Sequence, residues 1–141
     1  MWDTVDARAD ATAVVITGAT GPNADLVSGV FDRVPGERKP GGAPVYRKRG
    51  DGDTWLFLAP SVNRWYVGNT KTKDARKAAG VAATADAVAD GTLPHEAPAG
   101  GWKVVSETGL GPQPAVAVRG VTKAEADRLE AEAQAAAAAA W

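Results

Sequence analysis

Short runs of β-branched and aromatic residues, each closed by a turn rich in glycine or proline, recur along residues 13–119. Because glycine and proline interrupt regular structure, this spacing predicts many short strands joined by turns. The predicted strands are residues 13–17, 27–34, 44–49, 54–59, 64–68, 102–105 and 115–119. We therefore expect a mainly β domain over residues 13–119, a single small antiparallel meander or partly open barrel.

The clearest predicted hairpin joins residues 54–59 to residues 64–68, with Trp55, Phe57, Trp65 and Val67 at alternating positions. The chain has 141 residues but only five Trp, two Tyr and two Phe. Each buried Trp removes on the order of 150–250 Å² from water. We therefore expect Trp55, Trp65 and Trp102 to form much of the core. Tyr46 and Tyr66 are expected to face opposite to Val45 and Trp65.

The two ends of the chain differ from this β region. Residues 1–12 are predicted to be an extended N-terminal lead-in, and residues 121–141 a C-terminal helix or extension. Thr122 and Glu125 have the spacing of a capping box, and Arg128 and Glu132 form an i, i+4 pair. This helix lacks a broad apolar stripe, so it either projects from the domain or lies on another protein through its alanines.

Residues 71–90 leave two structures open. Their composition favours a helix, but Gly80 interrupts the segment and Val81 could begin a short strand.

Residues 14–22 read VVITGATGP, which resembles the TGxxGxxG phosphate loop of short-chain dehydrogenases. In that family the glycines let backbone amides approach a pyrophosphate at a helix N-terminus. Here Ala24 stands at the third glycine position, and six residues separate Gly21 from Ser28, where about a dozen are needed for a parallel crossover. The family's Tyr-x-x-x-Lys pair is also missing. A strand and turn without a ligand is therefore the favoured interpretation, and an NAD(P)-binding reductase fragment the second alternative.

Other chemistry finds little support in the sequence. His95 is the single histidine and lies in a predicted loop, where we expect it to be solvated. Cysteine is absent, so neither thiolate chemistry nor a thiolate metal site is available. Asp51 and Asp53 lie in a GDGD turn that lacks the later glutamate of a calcium-binding loop. We therefore expect no enzyme activity, no cofactor, no metal site and no small-molecule substrate.

No uncharged apolar run approaches the roughly 18 residues that a membrane-spanning helix needs. The first ten residues, MWDTVDARAD, are acidic and do not resemble a secretory signal. The sequence therefore predicts a soluble intracellular protein, cytoplasmic or inside an organelle such as the plastid.

Charge is unevenly placed along the chain. Residues 33–77 contain eleven Lys or Arg against four acids, whereas the remainder contains five against thirteen. Such segregation favours either a solvated basic face or the attraction of an acidic protein surface. The candidate partner-binding residues are Arg47, Lys48, Arg49, Arg64, Lys71, Lys73, Arg76 and Lys77, together with Trp2, Leu129 and Trp141 at the two ends. A single-stranded nucleic-acid surface is the alternative, if Tyr46 or Tyr66 is exposed among these cations.

Seven short segments, most of them containing Gly, Trp or Tyr, follow one another in an order that resembles a known kind of module. They are Gly18-Ala19, Val27-Ser28-Gly29-Val30-Phe31, Pro44-Val45-Tyr46-Arg47-Lys48, Trp55-Leu56, Trp65-Tyr66-Val67, Leu93-Pro94 and Gly101-Trp102-Lys103-Val104. Over residues 14–118 the chain resembles a Trp-, Tyr- and Gly-rich β-module that recurs in proteins of unicellular eukaryotes. The usual Asn-Gly of that module is Ser28-Gly29 here, and its usual Tyr is Phe31. The resemblance implies a non-catalytic adaptor.

Together these features predict a non-enzymatic scaffold or linker subunit of a larger assembly. Its terminal extensions and the basic 33–77 segment would bind other protein subunits. A photosystem–antenna complex and a ciliary complex of a unicellular alga are the assemblies that this hypothesis names.

Overall fold

The computed structural model describes residues 13–21, 23–34, 43–50, 52–88, 93–96, 101–106 and 109–139. In these ranges the strands are β1 (Ala13–Thr17), β2 (Gly29–Arg33), β3 (Tyr46–Lys48), β4 (Trp55–Ala59), β5 (Arg64–Gly68), β6 (Ala82–Thr84), β7 (Trp102–Ser106), β8 (Gly109–Pro112) and β9 (Ala117–Val121). The helices are α1 (Ala24–Val27), α2 (Thr70–Ala75) and α3 (Lys123–Ala139), with a short 3₁₀ helix at Pro94–Glu96.

The nine strands form one antiparallel sheet in the order β8-β7-β6-β5-β4-β3-β2-β1-β9. Laid flat, its two edge strands would lie about 38 Å apart at a spacing of ~4.8 Å per strand. Yet these two edge strands are joined directly along the chain, since β8 ends at Pro112 and β9 begins at Ala117. A fully extended segment of that length spans at most about 18 Å. The sheet must therefore curl, and the predicted mainly β, partly open barrel is confirmed.

Side-chain amides link the two ends of the curled sheet. The Gln113 amide accepts from the Thr20 N–H at 2.8 Å and donates to the Thr20 carbonyl at 3.0 Å. Nearby, the Asn23 amide donates to the Val105 carbonyl at 2.8 Å. Gly18 adopts φ +85°, and a Cβ there would lie 2.1 Å from the Ala115 carbonyl oxygen. The glycine turn after β1 therefore allows close approach of another loop of the same chain.

The concave face of the sheet contains the larger hydrophobic cluster. Trp65 and Trp102 lie in it, and the Tyr46 ring packs 6.1 Å from the Trp65 ring. The cluster also contains Val14, Ile16, Val27, Phe31, Leu56, Leu58, Val67, Ala82, Val88, Val104 and Val116. Where several of these residues lie on one strand they alternate, as Val14 and Ile16 do on β1, because the side-chain period of a strand is two. The prediction that Trp65 and Trp102 form the core is confirmed.

The convex face carries two further apolar patches. The first contains Val45, just before β3, with Trp55, Phe57 and Tyr66 on β4 and β5 and Ala83 on β6. Helix α2 packs on β4 at this patch. Trp55 is therefore buried as predicted, but on the convex face. As predicted, Tyr46 lies on the opposite face of the sheet from Val45, and Tyr66 lies on the opposite face from Trp65.

The second convex patch holds the C-terminal helix. Ala13, Val30 and Val121 cluster with Ala126 of α3, and Leu129 packs against them. The Thr122 hydroxyl accepts from the Glu125 N–H at 3.2 Å, which confirms this half of the capping box, and the Arg128–Glu132 pair forms at 3.2 Å. The first turns of α3 thus lie on strands β1 and β2 of the same chain. This corrects the expectation that the helix either projects from the domain or lies on another protein.

Three local expectations need revision. The segment 71–90, left open between helix and strand, contains both α2 and β6. The predicted strand 27–34 begins later, at Gly29, because α1 occupies Ala24–Val27. Strand β8 (Gly109–Pro112) was not predicted, since its sequence GLGP lacks β-branched residues.

Candidate functional site

The TGATG turn does not build a dinucleotide site. It follows β1 and leads into α1, which has four residues, and then into β2. Strands β1 and β2 pair antiparallel, whereas the dinucleotide fold requires parallel strands joined by a full crossover helix. The geometry that the motif needs is therefore not formed at this turn.

The aromatic platform required for stacking single-stranded nucleic acid is also not formed by the two tyrosines. Tyr46 is 0% exposed and Tyr66 is 8% exposed. The Tyr46 hydroxyl accepts from the Arg33 guanidinium at 3.0 Å, and the Tyr66 ring stacks on Phe57 at 6.3 Å. The condition that one of these rings be exposed is not met.

A charged cluster joins α3 to strands β2 and β3. Arg49 donates from Nε to Asp32 at 2.7 Å and from one Nη atom to the other Asp32 oxygen at 3.0 Å. The same Nη atom lies 2.7 Å from the Asp127 carboxylate of α3, and Lys123 lies 3.2 Å from Asp127. This bidentate pairing with Asp32, joined by Asp127, raises the pKa of Arg49. Hydrogen bonds from Lys123 and Arg49 lower the pKa of Asp127.

Arg47 lies beside this cluster and contacts an aromatic ring instead of a described carboxylate. Its guanidinium stands 5.7 Å from the Trp55 ring centroid, at the distance of a cation–π contact. Arg47 is exposed, and among the described residues no carboxylate forms an ion pair with it. Its charge is therefore held in a fixed place, and no carboxylate of the described part of the chain compensates it.

Lys73 differs from the other candidates because it is buried. Its ammonium lies 4.0 Å from the Trp55 ring centroid and 2.6 Å from the Asp74 carboxylate, and the residue is 2% exposed. The Trp55 indole N–H donates to the Thr70 hydroxyl at 2.9 Å, which fixes α2 over the same ring. Lys73 is thus positioned to hold α2 on the sheet rather than to meet a partner directly.

The remaining candidates lie on different parts of the surface. Lys71 and Lys77 are exposed on and just after α2, and Arg76 is half-buried, with φ 51° at the C-terminal cap of that helix. Lys48 is half-buried on β3, and Arg64 is half-buried at the start of β5. The eight predicted cations therefore do not form one continuous face.

Of the three candidate residues near the chain ends, the structure describes Leu129 alone. Trp2 and Trp141, with the lead-in 1–12, lie outside the described residues. Leu129 packs on the convex patch of its own domain, so its inward side already has a contact within the chain.

Two adjoining cavities lie at the charged cluster and share Asp32 and Arg49. One of about 360 Å³ is lined by Asp32, Arg33, Arg49, Lys123 and Asp127. The other, of about 390 Å³, is lined by Asp32, Val34, Arg47, Lys48, Arg49, Gly50 and Gly52. We call the two together the basic groove, because five cationic and two anionic residues line it.

Sequence reasoning identified Arg47, Lys48 and Arg49 of this groove but missed its other four charged residues, Asp32, Arg33, Lys123 and Asp127. The capping box at Thr122 placed Lys123 and Asp127 on one helical face, i and i+4 apart. Nothing in that local pattern indicates that the face lies on β2.

Two further features bear on chemistry. His95 is half-buried in the 3₁₀ helix, where a Cβ on Gly120 would lie 2.8 Å from its ring, so it is less solvated than predicted. Among the described residues, histidine and carboxylate side chains do not gather in groups of three or more that could hold a metal. In the same part of the chain, no helix combines the length and hydropathy that a bilayer crossing requires.

Comparison of the chain with protein-family models, with curated proteins and with solved structures finds no match. The resemblance to the Trp-, Tyr- and Gly-rich module therefore stays a prediction, as does the membership of a photosystem–antenna or ciliary complex.

Proposed function

We propose that this chain is a non-enzymatic protein-interaction domain that binds an acidic surface of another protein subunit. The observation that supports this most directly is the exposed Arg47 guanidinium, held against Trp55 beside the basic groove. Arginine positioned on an aromatic ring loses less freedom on pairing with a carboxylate than a mobile side chain does. The proposed partner surface is therefore rich in Asp and Glu.

Neighbouring charges extend this site. Trp55 contacts Arg47 on one strand and Lys73 on α2, so α2 with its exposed Lys71 lies on the same convex side as Arg47. The anions near α2 are already engaged, since Asp74 pairs with Lys73 and Asp53 accepts from the Thr70 N–H at 3.0 Å. Among the described residues, no carboxylate pairs with Arg47 or Lys71, so an acidic partner would meet both cations without a competitor from that part of the chain.

The two alternatives need geometry that differs from this arrangement. Nucleic-acid binding by base stacking needs an exposed ring, and both tyrosines are buried. The reductase alternative needs a parallel βαβ unit, and β1 and β2 are antiparallel.

The proposal is tested by measuring binding of the full chain to polyglutamate, and to single-stranded DNA of equal charge, at several salt concentrations. We expect salt-sensitive binding of polyglutamate that the triple variant Arg47→Gln, Lys71→Gln, Lys77→Gln weakens. The matched control is Lys103→Gln, Arg119→Gln, Arg128→Gln, which removes equal charge elsewhere. Equal weakening by both triples, or no binding of polyglutamate, would refute the proposal. Tighter binding of DNA would favour the nucleic-acid alternative.

A further inference from the structure

We propose, on the basis of the function above, that the basic groove binds an extended acidic segment of the partner, and that Asp127 occupies part of this groove until a partner carboxylate replaces it. The groove would thus be a site for carboxylates spaced along a strand. Helix α3 would carry an internal competitor for that site.

The chain already shows how the groove recognises a carboxylate. Asp127 approaches Arg49 from α3, outside the sheet, at 2.7 Å. Asp32 accepts two hydrogen bonds from the same guanidinium, so the cation stays in place when Asp127 leaves. The Asp127 side chain is 52% exposed and the Asp32 side chain 37%, so Asp127 is the more exposed of the two carboxylates on Arg49.

The spacing of the two arginines indicates the form of the partner segment. Arg47 lies on β3 and Arg49 directly follows that strand, and both line the same cavity. Residues two apart along extended chain lie about 6.6–6.8 Å apart on one face. An extended peptide with acidic residues at alternate positions has the same repeat, so two of its carboxylates can reach Arg47 and Arg49 together.

Binding in this mode has a consequence for α3. The described side-chain contacts of its first turns with the sheet are the Ala126 and Leu129 packing and the ion pairs of Asp127 and Glu125. When a partner carboxylate pairs with Arg49, the ion pair between Arg49 and Asp127 is lost, and α3 keeps only its other contacts with the sheet. Partner binding and α3 docking are therefore coupled, and each weakens the other.

Two isomeric octapeptides test the groove on the full chain. In one, glutamate and serine alternate; in the other, the glutamates stand in adjacent pairs. The alternating peptide is expected to bind about two- to fivefold more tightly, the scale of an exposed ion pair. Arg47→Gln should weaken its binding by a similar factor. Equal affinity for the isomers, or no effect of Arg47→Gln, would overturn the groove assignment, even if polyglutamate still binds and the proposed function stands.

The role of Asp127 is tested with two variants of α3 that change net charge equally. Asp127→Asn removes the internal competitor, whereas Glu132→Gln removes a carboxylate that pairs with Arg128. We expect Asp127→Asn to tighten binding of the alternating peptide about two- to fivefold, and Glu132→Gln to change it little. Amide exchange over residues 123–129 of the unmutated chain should speed up on binding. Equal affinities of the two variants, or unchanged exchange, would refute the competition while leaving peptide binding intact.

Discussion

The Gln113 side chain hydrogen bonds to both backbone polar groups of Thr20, accepting from its N–H at 2.8 Å and donating to its carbonyl at 3.0 Å. Its amide thus takes the place of a neighbouring strand where the curled sheet brings its two ends together. We expect Gln113→Ala to lower the free energy of unfolding by about 1–2 kcal/mol, since two hydrogen bonds are lost. Urea denaturation measures this. Gln113→Glu serves as the comparison because it keeps the acceptor and loses the donor, and an unchanged midpoint for both variants would contradict the role of this side chain.

Three glycine-to-alanine variants test whether the turn after β1 approaches the loop at Ala115 as closely as the structure shows. Gly18→Ala combines a positive φ with a Cβ 2.1 Å from the Ala115 carbonyl, whereas Gly50 has φ +78° with open space around it. We expect Gly18→Ala to cost about 3 kcal/mol or more and Gly50→Ala about 1 kcal/mol. Gly52→Ala is the control, with no neighbour within 4 Å. Thermal unfolding gives the order, and a Gly18→Ala midpoint equal to that of Gly52→Ala would show that the two loops do not approach as described.

Lys73 tests how α2 is held on the sheet. Its aliphatic stem is buried and its ammonium lies over Trp55. Lys73→Ala removes the stem and the cation, so we expect a loss of about 2 kcal/mol in unfolding free energy. Lys73→Met keeps the stem, and the Asp74 carboxylate that loses its partner is 63% exposed to water, so we expect a smaller loss. If the two variants lose equal stability, the stem does not carry the packing.

The pH dependence of α3 docking follows from Asp127. Hydrogen bonds from Lys123 and Arg49 lower its pKa below the ordinary 3.8. A depressed pKa in the folded state means that the contribution to stability is present above about pH 3.8 and is lost as the pH falls through the folded value. NMR titration of the carboxyl should therefore give a midpoint below 3.8. The midpoint should move toward 3.8 in Lys123→Gln, and an unchanged midpoint in that variant would contradict the assigned cause.

The sequence predicted those parts of the fold that depend on local alternation. The hairpin of Trp55–Ala59 and Arg64–Gly68 was predicted almost to the residue, because large apolar residues stand at alternate positions on both sides of a Pro-Ser-Val-Asn turn. The capping box at Thr122 was predicted for the same reason, since its two groups are three residues apart. Strand β8 escaped prediction because its pairing with β7, and not its composition, makes it a strand.

The site was less predictable than the fold. The basic segment pointed to Arg47, Lys48 and Arg49, but the burial of Lys73 depends on α2 packing over Trp55. The pairing of Arg49 with Asp127 joins residues that only the curled sheet and the docked α3 bring together. Long-range contacts of this kind leave no spacing signal in a single sequence.

The central claim is that the basic groove recognises acidic residues of a partner, and an NMR titration of the full chain with the alternating glutamate–serine octapeptide tests it most directly. The account predicts that amide signals of residues 47–50 and 123–127, and the Trp55 indole signal, shift most and saturate together. Shifts spread evenly over all exposed Lys and Arg residues, or confined to positions away from these, would contradict it.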